Sequence, residues 1–204
     1  MKPEYINKHA ELLRENAAGC TVLLKKDGQF PLGEPCNIAV FGNGARKTVK
    51  GGTGSGDVNC EYNTIEQSLE NNGFTVTTKA WMDAYDAYVK RASNEFIAKI
   101  KESAGDNWTA LFVAAFGSIR PESDYTIALD GEGDACLYVL ARNSGEGNDR
   151  KVEKGGVLLT DTEVKDILAL NKKFKKFMLV LNVGGVVDLT PVNEVKNILL
   201  LSQL

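Results

Sequence analysis

Short apolar runs that alternate with helical patterns constrain the fold of this sequence more than any other feature. The runs at residues 38–41, 135–140 and 177–183 are almost continuously apolar over four to seven residues. Such runs are typical of strands that are buried on both faces of a sheet. A fourth run lies at 198–201, and helical patterns separate the runs. The sequence therefore predicts one α/β domain over residues 1–204, an open and mostly parallel sheet flanked by helices on both faces, of the flavodoxin-like kind.

Helical patterns and caps predict the elements between these strands. Two apolar stripes have helical spacing: Ile6, Ala10, Leu13, Ala17; and Trp81, Tyr85, Tyr88, Ala92, Phe96, Ile100. We interpret the aromatic stripe as core packing rather than a ligand site. Asn63 with Glu66, and Thr160 with Glu163, have the spacing of helix N-caps. Three further strands are predicted, at residues 20–24, 74–79 and 111–116. The last of these, like 135–140, is an apolar run typical of a buried strand.

Composition argues against several classes of function. The net charge of −3 and pI of about 5.4 provide no overall field that would attract nucleic acid. No window approaches the roughly 18 apolar residues of a membrane span, and no signal-peptide pattern opens the chain. The four cysteines show no CxxC spacing and His9 is the single histidine, which disfavours a zinc site. These features predict a protein without a metal or cofactor, in a reduced, cytoplasmic setting.

A glycine-rich segment at residues 51–56 reads Gly-Gly-Thr-Gly-Ser-Gly. Four glycines in six residues allow the backbone to approach a ligand closely. The segment lacks the lysine of a phosphate-binding P-loop and begins ten residues after the preceding strand, whereas a dinucleotide-binding turn follows its strand directly. The pattern leaves open a sugar-contacting loop and a plain flexible loop, and disfavours nucleotide binding.

A second candidate segment, Ser-Gly-Glu-Gly-Asn-Asp-Arg at residues 144–150, follows the strand at 135–140. Loops at the carboxyl ends of parallel strands line the ligand crevice of such sheets. Glu146 between two glycines has room to approach a substrate, and Asp149 with Arg150 predicts a local ion pair. A solvated acidic loop explains the pattern equally well.

Two neighbouring segments need separate interpretations. The Gly-Glu-Gly element within residues 130–134 precedes its strand, so we expect a turn at the opposite edge of the sheet from Glu146. The Asn-Val-Gly-Gly segment at 182–185 ends a strand and either lines the same crevice as Glu146 or forms a simple turn.

The order of these motifs resembles the α/β sandwich domain of family 3 glycoside hydrolases, especially the β-glucosidase branch. The resemblance is carried by the segments at 21–28, 30–32, 38–42, 51–56, 142–150, 178–183 and 195–204. It implies an (α/β)6 sandwich in which Glu146 is the catalytic acid/base. It also implies that Ser55 contacts the sugar, with Gly54, Gly56 and Arg150 as further substrate-binding residues. Asn148 stands where the family often has an aromatic residue.

The resemblance also implies a partner. The family's aspartate nucleophile comes from a separate (β/α)8 barrel, and nothing in this sequence resembles that barrel. We therefore expect a fragment of a longer polypeptide, inactive when isolated, that acts on a β-glucoside or other small oligosaccharide. The initiating methionine is compatible with an inverted domain order and equally with a segment cut from the middle of a gene.

Two alternatives from other classes remain. A relative with the same fold could serve only as a sugar-binding or interaction module, although such a module has no need of an acid. A flavodoxin-like nucleotide-binding protein is the other, and the absence of phosphate-binding fingerprints argues against it.

Overall fold

A six-stranded sheet forms the centre of the protein. The computed structural model describes residues 4–50, 62–105, 107–109, 112, 120–143 and 149–203. The strands are β1 Val22–Lys25, β2 Asn37–Phe41, β3 Thr75–Val76, β4 Ala135–Arg142, β5 Phe177–Val183 and β6 Ile198–Leu200. Their order across the sheet is β1-β6-β5-β4-β2-β3. β1 runs antiparallel to β6 and the other pairs are parallel, which confirms the predicted α/β architecture.

The two central strands form the core. Every residue of β4 and β5 is buried, and since side chains alternate between faces, both faces of the sheet are covered here. β4 also pairs with β2, of which only Asn37 is exposed. The continuously apolar runs therefore lie where the sequence predicted them.

Four α-helices have their bounds within the described residues: α1 Glu4–Asn16, α2 Ile65–Asn71, α3 Lys79–Ala104 and α4 Asp161–Lys173. The capping box predicted at Thr160 and Glu163 is present at the start of α4. The N-cap predicted at Asn63 is wrong by one residue. Thr64 has the extended backbone of a cap, and its side chain and that of Gln67 form the reciprocal bonds of a capping box.

The strand predicted over 74–79 has only two residues in the structure, because a side chain makes the next hydrogen bonds to β2 in place of a backbone group. The Thr78 hydroxyl accepts from the Val40 amide at 2.8 Å and donates to the Val40 carbonyl at 2.6 Å. Because these groups of β2 are satisfied by a side chain, β3 ends at Val76 and α3 begins at Lys79.

The aromatic stripe of α3 packs as predicted over its first half. Trp81 and Tyr85 are buried and stack at 5.2 Å between ring centroids, and Tyr125 closes the cluster edge-on from the segment at 120–134. Phe96 and Ile100 remain partly exposed. The strand predicted at 111–116 lies outside the described residues except for Phe112, where the prediction of a buried strand is wrong because this residue is helical and exposed.

The segment at 130–134 lies at the amino end of β4, opposite the end from which residue 146 follows, as predicted. No hydrogen-bonded turn is assigned to it; instead, its last residue bonds to the start of β2. The Asn37 amide donates to the Asp134 carboxylate at 3.1 Å, and the Asp134 amide donates to the Asn37 carbonyl at 2.8 Å.

A buried carboxylate on α4 makes stability depend on pH. Burial raises the pKa of Asp166 above its ordinary value of 3.8, and the hydrogen bond from the Tyr125 hydroxyl, at 2.9 Å, offsets this only in part. When folding raises the pKa of an acid, the acid does not affect the free energy of unfolding at low pH, where it is protonated in both states. As the pH rises above its unfolded-state pKa, the free energy of unfolding falls, and it keeps falling until the pH exceeds the folded-state pKa. We expect the Asp166→Asn variant to gain unfolding free energy relative to wild type between pH 3 and pH 7. Denaturant unfolding across that range measures the difference, and a pH-independent difference would contradict it.

The first helix and strand contribute little to this core. α1 has no buried residue, and all four residues of β1 are exposed. Among the described helices, none is long and apolar enough to cross a bilayer.

Candidate active site

The chain that follows β2 crosses the carboxyl edge of the sheet. Gly42 ends β2 with a positive φ of 91°, and the Gly44 amide donates to the Val139 carbonyl of β4 at 3.0 Å. The Asn43 side chain then pairs with both polar groups of Ala141, donating to its carbonyl at 2.9 Å and accepting from its amide at 2.7 Å. An amide side chain thus substitutes for a strand at the end of β4.

A second asparagine repeats this arrangement on β5. Asn182 is 1% exposed; it accepts from the Val49 amide at 2.6 Å and donates to the Val49 carbonyl at 2.9 Å. It also donates to the Ser202 carbonyl at 2.7 Å. Val49 is therefore fixed at the carboxyl end of β5, two residues before the glycine-rich segment begins.

The chain after β6 returns across the same edge. Ser202 has a positive φ of 59°, and the Gln203 side-chain amide donates to the Arg142 carbonyl at 3.2 Å. The Gln203 side chain lies against Gly184, where an added Cβ would be 2.6 Å from its Oε1 atom. The ends of β4, β5 and β6 are thus connected by side-chain amides.

Arg142, the last residue of β4, carries a buried cation. Its guanidinium donates to Glu163 at 2.6 Å, to the Gly156 carbonyl at 3.2 Å and to the Ala141 carbonyl at 3.0 Å. The side chains of both ion-pair partners are 5% exposed or less. The pair joins the carboxyl end of β4 to the first turn of α4 and fixes the residue from which residues 143–150 depart.

Arg150 is the last residue of that segment and holds its C-terminal end against neighbouring backbone groups. Its guanidinium donates to the Gly156 carbonyl at 3.1 Å and to the Val186 carbonyl at 2.7 Å. Burial, with a smaller contribution from the nearby Arg142 charge, lowers the pKa of Arg150. The predicted ion pair with Asp149 is wrong, because the groups that Arg150 contacts among the described residues are backbone carbonyls.

A cavity of about 420 Å³ opens between these groups. Its lining includes Asn143 and Arg150, from the two ends of residues 143–150, together with Arg142, Arg120 and Glu122. The lining also includes apolar residues such as Phe96 and Pro121, and the cavity lies beside the carboxyl end of β4.

The described residues offer no evident metal site. Within these ranges, no group of three or more histidine, cysteine, aspartate or glutamate side chains is arranged to hold an ion. Cys136 is buried in β4 and Cys20 is exposed in the 3-10 turn at Ala17–Cys20.

Comparison with known families identifies the family of this domain. The profile described as the glycosyl hydrolase family 3 C-terminal domain matches residues 21–203. The chain belongs to this family. Its α/β sheet and the resemblance seen in the sequence agree with that assignment.

Relatives of this family 3 domain are β-glucosidases. It is 32% identical over 208 residues to β-glucosidase A of Butyrivibrio fibrisolvens, covering 90% of this chain and 23% of that protein. It is 29% identical to a β-glucosidase of Ruminococcus albus, covering 94% of this chain and 19% of that one. Among solved structures, β-glucosidase 3B of Thermotoga neapolitana in complex with α-D-glucose matches with a TM-score of 0.70 and 28% identity, over 99% of this chain and 28% of that one. The chain spans about a quarter of the length of these relatives.

Of the residues predicted for the site of this family 3 domain, Arg150 is described. Glu146, Ser55, Gly54 and Gly56 lie outside the described residues. Two described residues that precede these segments, Val49 and Arg142, can be placed relative to each other, because Asn182 on β5 is the register partner of Ala141 on β4. Val49, bound to Asn182, and Arg142 therefore lie at the ends of neighbouring strands, which are about 4.8 Å apart in a sheet.

Sequence reasoning singled out the 182–185 segment but missed Asn43, Arg142 and Gln203. Arg142 carries a readable signal, since a charged residue directly after the seven apolar residues 135–141 is unusual for a buried strand. Asn43 and Gln203 carry none, because each acts on a backbone group far away in sequence.

Proposed function

We propose that this chain is the α/β sandwich domain of a retaining β-glucosidase-type glycoside hydrolase, and that Glu146 is its general acid/base. The observation that supports this most is that the chain enters both candidate segments from the same edge of the sheet. The anchor of the glycine-rich segment, Val49, is bound to the end of β5. Residues 143–150 begin directly after Arg142 of the adjacent β4, and their last residue, Arg150, shares the Gly156 carbonyl with Arg142. Segments that begin side by side at one sheet edge suit a shared sugar site.

In the proposed mechanism Glu146 protonates the leaving oxygen of a terminal β-glycosidic bond and then activates water. A retaining enzyme needs a second carboxylate about 5 Å away as the nucleophile. Two described carboxylates near the carboxyl end of β4 are engaged: Glu163 is paired with Arg142, and Glu122 accepts from the Tyr85 hydroxyl at 3.2 Å. We propose that the nucleophile comes from a separate (β/α)8 barrel of the same polypeptide, so that the isolated chain is inactive.

The remaining predicted residues have proposed roles at the sugar. Ser55, with Gly54 and Gly56, would contact sugar hydroxyls. Arg150 uses one N–H of each terminal nitrogen on a carbonyl, and a guanidinium has five N–H donors. The second N–H of each terminal nitrogen would serve a hydroxyl of the β-glucoside or small oligosaccharide. No nucleic acid or membrane partner is proposed, and a cytoplasmic location remains a prediction.

The test of this function is the hydrolysis of p-nitrophenyl β-glucoside by the complete polypeptide and its Glu146→Ala variant. We expect the variant to lose about 100-fold in rate, as is typical for removal of a general acid/base. Azide should then restore part of the rate and yield the β-glucosyl azide, since the activated leaving group needs little protonation and azide attacks the glycosyl-enzyme without a base.

The matched control is Glu132→Ala, which changes the other Gly-Glu-Gly element at the amino edge of the sheet, where Glu132 is exposed. It should retain the wild-type rate. Wild-type activity in Glu146→Ala would exclude the proposed role of Glu146. Binding of β-glucosides by the complete polypeptide without any cleavage would instead indicate a sugar-binding module.

A further inference from the structure

We propose that Asn182 and Gln203 are positioning residues that hold the start of the glycine-rich segment and the start of the acid/base segment, residues 143–150, in one fixed relation. This inference rests on the proposed function. Its physical basis is a continuous path of hydrogen bonds among described residues. The path runs from Val49 through Asn182 to Ser202, and from the adjoining Gln203 to Arg142.

The Asn182 side chain determines one end of the path. A single amide satisfies the N–H and the C=O of Val49 and the C=O of Ser202. The residue is 1% exposed, so water does not readily replace a lost bond. Val49 keeps its place over β5 because this amide is present.

Gln203 determines the other end. Its side chain donates to the Arg142 carbonyl, which belongs to the last residue before the acid/base segment. Gly184 leaves the space that the Gln203 amide occupies, since an added Cβ would be 2.6 Å from Oε1 and 2.9 Å from Nε2. A methyl group at position 184 would therefore displace this amide while leaving the strand ladder intact.

The two contacts act together through Ser202. Its φ of 59° is the one positive value among the described non-glycine residues, and such a conformation persists only where neighbouring contacts impose it. The bond from Asn182 to the Ser202 carbonyl imposes it here. Without that bond Ser202 relaxes, and the adjoining Gln203 side chain moves away from Arg142.

Three single variants and one double variant of the complete polypeptide test the inference. Gln203→Met and Gly184→Ala should lower kcat by about tenfold, since small misplacement of a catalytic group has effects of this order or larger. Because the proton donor is misplaced, the loss should be larger for cellobiose, a poor leaving group, than for p-nitrophenyl β-glucoside. The double variant should lose no more than either single variant, because both act on one contact. Asn182→Asp keeps the acceptor for Val49 but removes both donated bonds, and should raise KM by about tenfold.

Asn197→Asp is the matched control at the opposite end of β5. Asn197 is 2% exposed, donates to the Phe177 carbonyl and accepts from the Asp27 amide, both at 3.0 Å. Asn197→Asp should lower Tm like Asn182→Asp but leave KM and the ratio of the two substrate rates unchanged in the folded fraction. Gly184 is exposed and Gln203 is partly exposed, so their variants should change the position of the Gln203 side chain with little effect on the stability of the fold.

The outcomes separate this inference from the proposed function. If Glu146→Ala loses activity and azide restores it, but Gln203→Met and Gly184→Ala keep the wild-type ratio of substrate rates, the positioning role alone is wrong. Equal KM values in Asn182→Asp and Asn197→Asp would likewise exclude the positioning role. If Glu146→Ala is fully active, the proposed function itself is wrong.

Discussion

Replacement of Arg142 by methionine is expected to lower the free energy of unfolding by about 3–5 kcal/mol, the usual effect of removing one partner of a buried ion pair. The Glu163 carboxylate would remain buried without its cation, 2.6 Å from where the guanidinium was. The carbonyl of Gly156 would lose a donor as well. Domains are stable by only roughly 5–15 kcal/mol, so the variant should unfold at much lower denaturant concentration.

The double variant Arg142→Met/Glu163→Gln isolates the effect of the unpaired charge. Glutamine keeps the oxygen that accepts from the Thr160 amide in the capping box at 2.9 Å, so the start of α4 is retained. We expect the double variant to recover at least half of the loss. If it is no more stable than Arg142→Met, the loss comes from packing and not from the charge.

An exposed ion pair between the first residue of the same helix and the segment before it provides the control. Lys154 and Asp161 lie 2.5 Å apart, with side chains 59% and 73% exposed. Lys154→Met should leave stability essentially unchanged, because exposed pairs contribute little. A loss in Lys154→Met equal to that in Arg142→Met would show that burial is not the cause.

Replacement of Gly42 by alanine is expected to have the second large effect, a loss of more than about 4 kcal/mol or failure to fold. Two causes act at this position. The φ of 91° is strained for any residue with a Cβ, and that Cβ would lie 2.3 Å from the Val139 carbonyl oxygen. Since the obstacle is backbone of the central strand β4, it cannot move aside without breaking the ladder.

Gly28 separates these two causes. Its φ of 89° nearly equals that of Gly42, but nothing lies within 4 Å of an added Cβ. Gly28→Ala should therefore show the conformational penalty alone, about 1–2 kcal/mol. Urea unfolding of both variants gives the contribution of the clash as the difference. Equal losses would mean that the sheet edge accommodates a methyl group at position 42.

The sequence alone predicted the parts of the fold that depend on local pattern. β5 was predicted at its observed bounds and β4 lacked only its last two residues, because continuous burial leaves an apolar run that can be read directly. The cap of α4 depends on Thr160 and Glu163, three residues apart, and was predicted for the same reason. β3 was predicted too long, since no local pattern shows that the Thr78 hydroxyl bonds to Val40, 38 residues away.

The geometry of the candidate site was much less predictable. The bonds that define the sheet edge join Asn43 to Ala141, Asn182 to Val49 and Gln203 to Arg142, across 98, 133 and 61 residues. An asparagine that pairs with a distant peptide looks, in sequence, like any other polar residue at the end of a strand. The motifs predicted which segments lie at this edge, whereas only the fold shows the bonds that hold the described residues next to them.

The weak attachment of α1 has a consequence for amide exchange. The helix has 13 residues and contributes none to the core, and isolated helices of this length are marginally stable in water. In the isolated chain, the amide protons of α1 should exchange with solvent through local fraying, within the shortest labelling time of a hydrogen-exchange experiment. Those of β4 and β5 should exchange only through opening of the whole domain. Any slowing of exchange in α1 within a longer polypeptide would then report a surface that contacts it.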